Sequence, residues 1–156
     1  MIYHSSRDVT VEISAAEAIV KGLANDGGLF VPEAVPKLSL DEIVALGDMS
    51  YSDRAANIIG LYLTDFRQNE LKECTQKAYT REKFETESIA PIYKLNEQTY
   101  ILELWHGPTC AFKDMALQLL PHLLTTSLEK TGTDKTIAIL VATSGDTGKA
   151  ALSGFA

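Results

Sequence analysis

A nearly unbroken apolar run at residues 136–142, Thr-Ile-Ala-Ile-Leu-Val-Ala, constrains the fold of this chain most strongly. Such a run is typical of a strand that is covered on both faces in a parallel sheet. Residues 143–148, Thr-Ser-Gly-Asp-Thr-Gly, then form a turn of small residues, and a helix-prone stretch follows to Ala156. Strand, turn and helix in this order predict the truncated start of an open parallel α/β domain, which needs further crossover units. Without them we expect residues 137–156 to be exposed and open to mispairing or disorder.

The first half of the chain carries helix signals instead. Ser14 and Ser39 are each followed three residues later by glutamate, and this capping-box spacing predicts a helix after each serine. The first helix should stop at Gly22, since glycine commonly ends helices. Further helical patterns begin at Ser52 and cover about residues 69–79.

Short β-prone runs lie between and after these helices, at residues 29–31, 89–93 and 99–104. The last two are separated by an Asn-Glu pair and suit a hairpin. We therefore predict a small, mostly helical N-terminal domain over residues 1–85 and the beginning of an incomplete α/β domain over residues 86–156.

Residues 103–114 form a candidate functional segment, which joins the end of a predicted strand to the start of a helix. Lys113 stands in the first turn of that helix, where Phe112 and Met115 can supply apolar surroundings. Both the position and the surroundings favour the neutral amine that attacks an aldehyde carbon. Taken alone, however, a lysine near a helix end is far more often simply solvated. His106 is interpreted as a loop residue satisfied by backbone groups and receives no catalytic role.

The turn at residues 143–148 supports two interpretations equally. Its glycines let a ligand approach the backbone, and the following helix start would offer free N–H groups to a carboxylate or phosphate. Alternatively it is an ordinary turn, with Asp146 or Thr147 as the N-cap. It lacks both the ending of a nucleotide P-loop and the spacing of a dinucleotide-binding fingerprint, so nucleotide and NAD binding are disfavoured.

Composition narrows the classes of partner. A net charge of −7 and a pI near 4.9 disfavour nucleic acid and anionic membrane surfaces as partners. Cys74 and Cys110 stand alone, and the histidines do not flank them at zinc-like spacing, so we expect neither a disulfide nor a metal site. The start of the chain has no leader pattern, and no run is long enough to span a bilayer, which makes the cytoplasm the expected location.

Several segments together resemble threonine synthase, a pyridoxal-phosphate enzyme of the tryptophan-synthase-β-like fold type II. His-Gly-Pro-Thr at 106–109 with Ala-Phe-Lys-Asp at 111–114 is similar to the family's cofactor-lysine segment, and residues 142–148 look like its substrate loop. The Ser-Ser-Arg at 5–7 and the glycine-containing stretch at 21–33 look like the opening of the same enzymes. The resemblance spans this chain but only about the first third of such an enzyme, without its later phosphate-binding cup.

The resemblance implies conversion of O-phospho-L-homoserine and water to L-threonine and phosphate, with pyridoxal 5'-phosphate as the cofactor. Lys113 would hold the cofactor and then move protons, and Asp146 would belong to the cofactor and substrate loop. The substrate carboxylate would be bound by five residues: Thr143, Ser144, Gly145, Thr147 and Gly148. A fragment of this length lacks the phosphate cup and most of the sheet, so inactivity of the fragment alone would say little about the family.

Two alternatives remain open at this point. One is another fold-type-II pyridoxal-phosphate enzyme, such as a serine or threonine dehydratase or a cysteine synthase, against which the His-Gly-Pro-Thr segment argues. The other is a non-catalytic protein that binds phospho-amino acids or makes only protein contacts. The intact Lys113 argues against that second alternative.

Overall fold

The computed structural model describes all 156 residues of the chain. They form two compact units: Met1–Glu73 with Leu123–Lys135, and Cys74–His122 with Thr136–Ala156. The domain division between residues 85 and 86 stays a prediction.

Helices account for most of the regular structure. They are α1 Ala15–Lys21, α2 Leu40–Ala45, α3 Tyr51–Gly60, α4 Gln68–Ala78, α5 Asp114–Leu117, α6 Leu120–Thr131 and α7 Asp146–Phe155, with a 3-10 turn at Leu46–Asp48. The strands are β1 Tyr3–Ser5, β2 Phe30–Pro32, β3 Ile92–Lys94 and β4 Tyr100–Leu102.

Both predicted capping boxes form in the first unit. The Ser14 hydroxyl accepts a hydrogen bond from the Glu17 amide at 3.3 Å, and the Glu17 carboxylate accepts from the Ser14 amide at 2.8 Å. Ser39 caps α2 in the same way, and α1 ends before Gly22 as predicted. Helix α3 begins at Tyr51 rather than at Ser52, because Ser50 is the residue whose hydroxyl accepts from an amide of the first turn.

A small sheet and a helical core complete the first unit. Strands β1 and β2 are antiparallel, with Tyr3 opposite Pro32 and Ser5 opposite Phe30. The sequence predicted β2 but not β1. The buried core lies between the helices and consists of Ala15, Ala16, Ala56, Leu63, Phe66 and Leu71.

The predicted hairpin is confirmed in the second unit. Strands β3 and β4 pair antiparallel, with Ile92 opposite Leu102 and Lys94 opposite Tyr100. Both strands are shorter than the runs of apolar residues suggested, and all of their side chains are exposed.

The predicted strand at residues 136–142 is wrong for this structure: no part of it pairs with another strand. A parallel strand exists only through hydrogen bonds to neighbours, and the strands of this chain form only two antiparallel pairs. The run is exposed as expected, and Leu140 keeps 95% of its surface in contact with solvent. The expectation of exposure and disorder over residues 137–156 is wrong for α7, which forms a regular helix and buries Ala150 and Ala151.

Helix α7 packs closely on α5. The backbone near Leu117 approaches Gly154 so closely that a Cβ on this glycine would lie 2.1 Å from the Leu117 carbonyl oxygen. Nearby, the Gln118 side-chain amide donates to the Ser153 hydroxyl at 3.4 Å. The chain turns between α5 and α6, and Pro121 lies in the first turn of α6, where its missing N–H costs no helical hydrogen bond.

Replacing Gly154 with alanine should destabilise the protein. Alanine is intrinsically about 1 kcal/mol better than glycine inside a helix. A clash with a backbone carbonyl is harder to relieve, because a helix must move, and overpacking of this kind costs about 1–3 kcal/mol or more. We therefore expect a lower free energy of unfolding in urea. Gly47→Ala is the matched control, since a Cβ there meets no atom within 4 Å, and equal stability of the two variants would contradict the prediction.

Candidate active site

Lys113 lies at the junction that the sequence indicated, directly before the first residue of α5. Its carbonyl oxygen accepts hydrogen bonds from the amides of Ala116 at 3.2 Å and Leu117 at 2.9 Å, so its backbone is part of the first helical turn. The side chain is partly exposed, and its Nζ lies 4.7 Å from the centroid of the Phe112 ring. No hydrogen bond or ion pair involves Nζ, which leaves the amine available to a ligand.

A buried carboxylate holds the loop in front of this lysine. Asp114 is fully buried; its carboxylate accepts from the Thr109 amide at 2.8 Å and from the Thr109 hydroxyl at 2.7 Å. Gly107 is required beside it, because a Cβ there would lie 2.6 Å from Asp114 atoms. The loop thus folds back on the residue that follows Lys113 and fixes the lysine's backbone.

Cys110, at the tip of this loop, adopts a left-handed conformation with a φ of +59°. Its amide donates to the Gly107 carbonyl at 3.1 Å, which closes a tight turn. For a residue other than glycine this conformation costs on the order of 1–3 kcal/mol. The surrounding hydrogen bonds therefore keep the loop in a shape that the isolated sequence would not favour.

His106 opens the same loop and bonds to side chains rather than to the backbone groups that the sequence interpretation assumed. Its Nε2 lies 2.6 Å from a Glu103 carboxylate oxygen, and its Nδ1 lies 3.5 Å from a Glu85 oxygen. The hydrogen bond with Glu103 is the main reason why the pKa of His106 is raised above its usual value, with a smaller contribution from Glu85. Glu85 lies 21 residues away in sequence, so no local pattern identifies it as a partner.

The loop at residues 143–148 is shaped by the Thr143 hydroxyl. This oxygen accepts from the Gly145 amide at 3.2 Å and from the Gly148 amide at 2.9 Å. Gly145, with a φ of +150°, is the N-cap of α7, so neither predicted N-cap, Asp146 or Thr147, occupies that position. Gly148 leaves little room for a side chain, because a Cβ would lie 2.8 Å from the Thr143 hydroxyl oxygen and 3.0 Å from a Val141 methyl, and one of these groups would have to shift.

The start of α7 retains free hydrogen-bonding groups. The amides of Asp146 and Thr147 belong to the first turn of the helix and have no acceptor in the chain. Ser144, Gly145 and Asp146 are exposed, and Thr147 is partly exposed. No hydrogen bond or ion pair links Lys113 to residues 143–148, so the structure presents the lysine and the loop as two separate parts of the predicted site.

No group of three or more His, Cys, Asp or Glu side chains is arranged to hold a metal ion. None of the helices has the length and apolarity needed to cross a membrane. Both cysteines are free thiols, Cys74 buried and Cys110 exposed.

Comparison with known proteins gives a consistent result. The family model described as threonine synthase N terminus matches residues 2–79. The threonine synthase of Methylobacillus glycogenes is 42% identical, over 97% of this chain and 33% of that protein. The human protein named threonine synthase-like 1 is 43% identical, over 90% of this chain and 19% of its own length.

Solved structures agree with these similarities. The threonine synthase of Brucella melitensis, described as bound to PLP, is 33% identical and superposes with a TM-score of 0.89 over 99% of this chain. The alignment covers 33% of that structure, and the chain spans about a third of the threonine synthases that it matches. The α/β fold class predicted from the sequence, and the resemblance that its motifs suggested, are confirmed.

Proposed function

Since this chain belongs to the threonine synthase family, we propose that it forms the lysine-bearing part of an enzyme that converts O-phospho-L-homoserine and water to L-threonine and phosphate. The observation that carries the proposal is the Lys113 amine, which makes no hydrogen bond or ion pair and stands on a loop fixed by Asp114. An amine that must react with a ligand has to be both uncommitted and well placed.

The residues present fit pyridoxal 5'-phosphate as the cofactor. Its aldehyde carbon requires a primary amine that no carboxylate occupies, and Nζ of Lys113 meets this requirement beside the Phe112 ring. When bound, pyridoxal phosphate supplies an electron sink for carbanions next to the amino group. In the proposal Nζ of Lys113 first holds the cofactor and later accepts and returns protons of the substrate.

The loop at residues 143–148 is proposed to bind the carboxylate of the substrate. The free amides of Asp146 and Thr147 and the hydroxyls of Ser144 and Thr147 are the donors, and the positive end of the α7 dipole adds to the attraction. The Thr143 oxygen accepts from the amides of Gly145 and Gly148, and its O–H remains a donor for the substrate carboxylate, as the resemblance implies. Thr143 and Gly148 shape the loop, while the Asp146 side chain is proposed to face the cofactor.

The decisive test uses a full-length protein that carries this segment, loaded with pyridoxal phosphate. We expect phosphate release from O-phospho-L-homoserine with an equal amount of L-threonine formed, and no comparable turnover of L-serine, L-threonine or O-acetyl-L-serine. Turnover of one of those amino acids instead would support a dehydratase or a cysteine synthase. Binding of O-phospho-L-homoserine without phosphate release would support a non-catalytic relative.

A further inference from the structure

We propose that His106 is a positioning residue, which joins Glu85 to Glu103 and thereby holds the loop that presents Lys113 to the cofactor. This clasp, defined as His106 with Glu85 and Glu103, rests on the function proposed for Lys113. It gives a role to a histidine that the sequence interpretation left without one.

The geometry of the clasp suits a doubly protonated ring. The two imidazole nitrogens face two different carboxylates, at 2.6 Å for Glu103 and 3.5 Å for Glu85. Only the imidazolium form has an N–H on both nitrogens, whereas the neutral ring has one donor. The His106 side chain keeps only 13% of its surface exposed, so water competes weakly for the bond with Glu103, whereas the Glu85 carboxylate, 74% exposed, stays open to water.

The backbone ties the clasp to the loop. The Glu85 amide donates to the His106 carbonyl at 3.0 Å, in addition to the side-chain contact. The adjoining Gly107 is the residue that closes on Asp114 and accepts from the Cys110 amide. The loop therefore has two anchors, the clasp at His106 and the carboxylate at Asp114, and Lys113 lies immediately before the second.

The protonation state of His106 controls the first anchor alone. The charged groups that face the ring are Glu103 and Glu85; Arg81 lies near but donates to the Glu85 carbonyl oxygen at 2.7 Å. The Trp105 ring, centred 5.6 Å away, is uncharged. The carboxylates raise the pKa of His106 above its ordinary value of 6.5. The added stability is therefore complete below that value and is lost as the pH rises through the raised pKa.

Two readouts on the 156-residue chain test the clasp across about pH 5 to 9, the range in which histidine titrates. The first is NMR hydrogen exchange, corrected for the intrinsic effect of pH. Protection of the Glu85 amide should fall with the same midpoint as the His106 imidazole titration, whereas protection of the Thr109 amide, on the Asp114 anchor, should not. In His106→Gln the Glu85 amide should lose this midpoint, and His122→Gln should behave as wild type.

The second readout is capture of pyridoxal phosphate at Lys113, fixed by borohydride and located by peptide mass spectrometry. Below the His106 midpoint, capture in His106→Gln should be on the order of tenfold slower than in wild type, since loss of position slows reaction strongly. If His106→Gln does not fold, Glu85→Gln replaces it, and the exposed site of Glu85 makes it a mild change. That variant should lower the His106 midpoint and weaken the protection of the Glu85 amide.

The outcomes separate this inference from the proposed function. Equal pH dependence of Glu85 protection in wild type and in the variants would overturn the clasp, whatever happens at Lys113. If protection of the Glu85 amide follows the His106 titration but no protein captures pyridoxal phosphate at Lys113, the clasp is supported and the role proposed for the lysine is contradicted.

Discussion

Replacing Lys113 with alanine is expected to abolish covalent capture of pyridoxal phosphate by this chain. The wild-type chain, treated with the cofactor and borohydride, should carry the reduced adduct on the peptide that contains Lys113. Nζ of this lysine makes no ion pair or hydrogen bond, and the loop that carries it is fixed by Asp114. The expected change is loss of the adduct at this peptide and loss of the visible absorbance of the bound cofactor.

The control for Lys113→Ala is Lys94→Ala. Both lysines place Nζ over an aromatic ring, at 4.7 Å from Phe112 for Lys113 and 5.8 Å from Tyr100 for Lys94. They differ in location, because Lys94 ends β3 and Lys113 lies directly before α5. Removing Lys94 should leave capture unchanged. Adduct spread evenly over the surface lysines, or retained capture in Lys113→Ala, would refute the assignment. In the full-length protein Lys113→Ala should lower turnover by on the order of a thousandfold or more, as removal of a covalent catalyst does.

Elements of the fold that depend on near neighbours could be predicted from the sequence. The capping boxes at Ser14 and Ser39 bond within three residues, and the hairpin β3–β4 joins runs a few residues apart. The strand predicted at residues 136–142 is wrong because it depends on distant partners. Its apolar pattern indicates burial in a sheet that the strands of this structure do not provide. An apolar run indicates that a segment is suited to burial, but it becomes a strand only where neighbouring strands offer hydrogen bonds.

The same distinction applies to the candidate site. Both motifs are evident in the sequence, because each is a contiguous segment: residues 103–114 with Lys113, and the small-residue loop at 143–148. The groups that fix them are not predicted by the sequence: Asp114 stands out only as part of a motif, and Glu85, 21 residues from His106, cannot be paired with it by spacing. The resemblance implies that Thr143 binds the substrate, and the spacing did not predict that its oxygen also accepts from two amides of its own loop.

Replacing Asp114 with alanine should cause the largest loss of stability among single changes in residues 106–114, the loop that carries Lys113. Two hydrogen bonds to a charged carboxylate would be lost, each worth about 1.5–3 kcal/mol, and the buried Thr109 amide would be left without an acceptor. We expect the free energy of unfolding in urea to fall by roughly 3 kcal/mol, which is a large share of the about 5–15 kcal/mol typical of a domain. The loss of the buried charge offsets part of this cost, since a carboxylate is expensive to desolvate.

Two further variants and a control show whether Asp114 acts through Thr109. Thr109→Val removes only the hydroxyl bond and should cost about 1–2 kcal/mol, and Asp114→Asn, which keeps one acceptor, should fall between it and Asp114→Ala. The exposed Asp134→Ala should have no measurable effect. If the losses in Asp114→Ala and Thr109→Val simply add in the double variant, the two residues do not act together. A double variant no less stable than Asp114→Ala would instead locate the energy in the Thr109–Asp114 anchor, and slower capture of pyridoxal phosphate in Asp114→Asn would connect that anchor to Lys113.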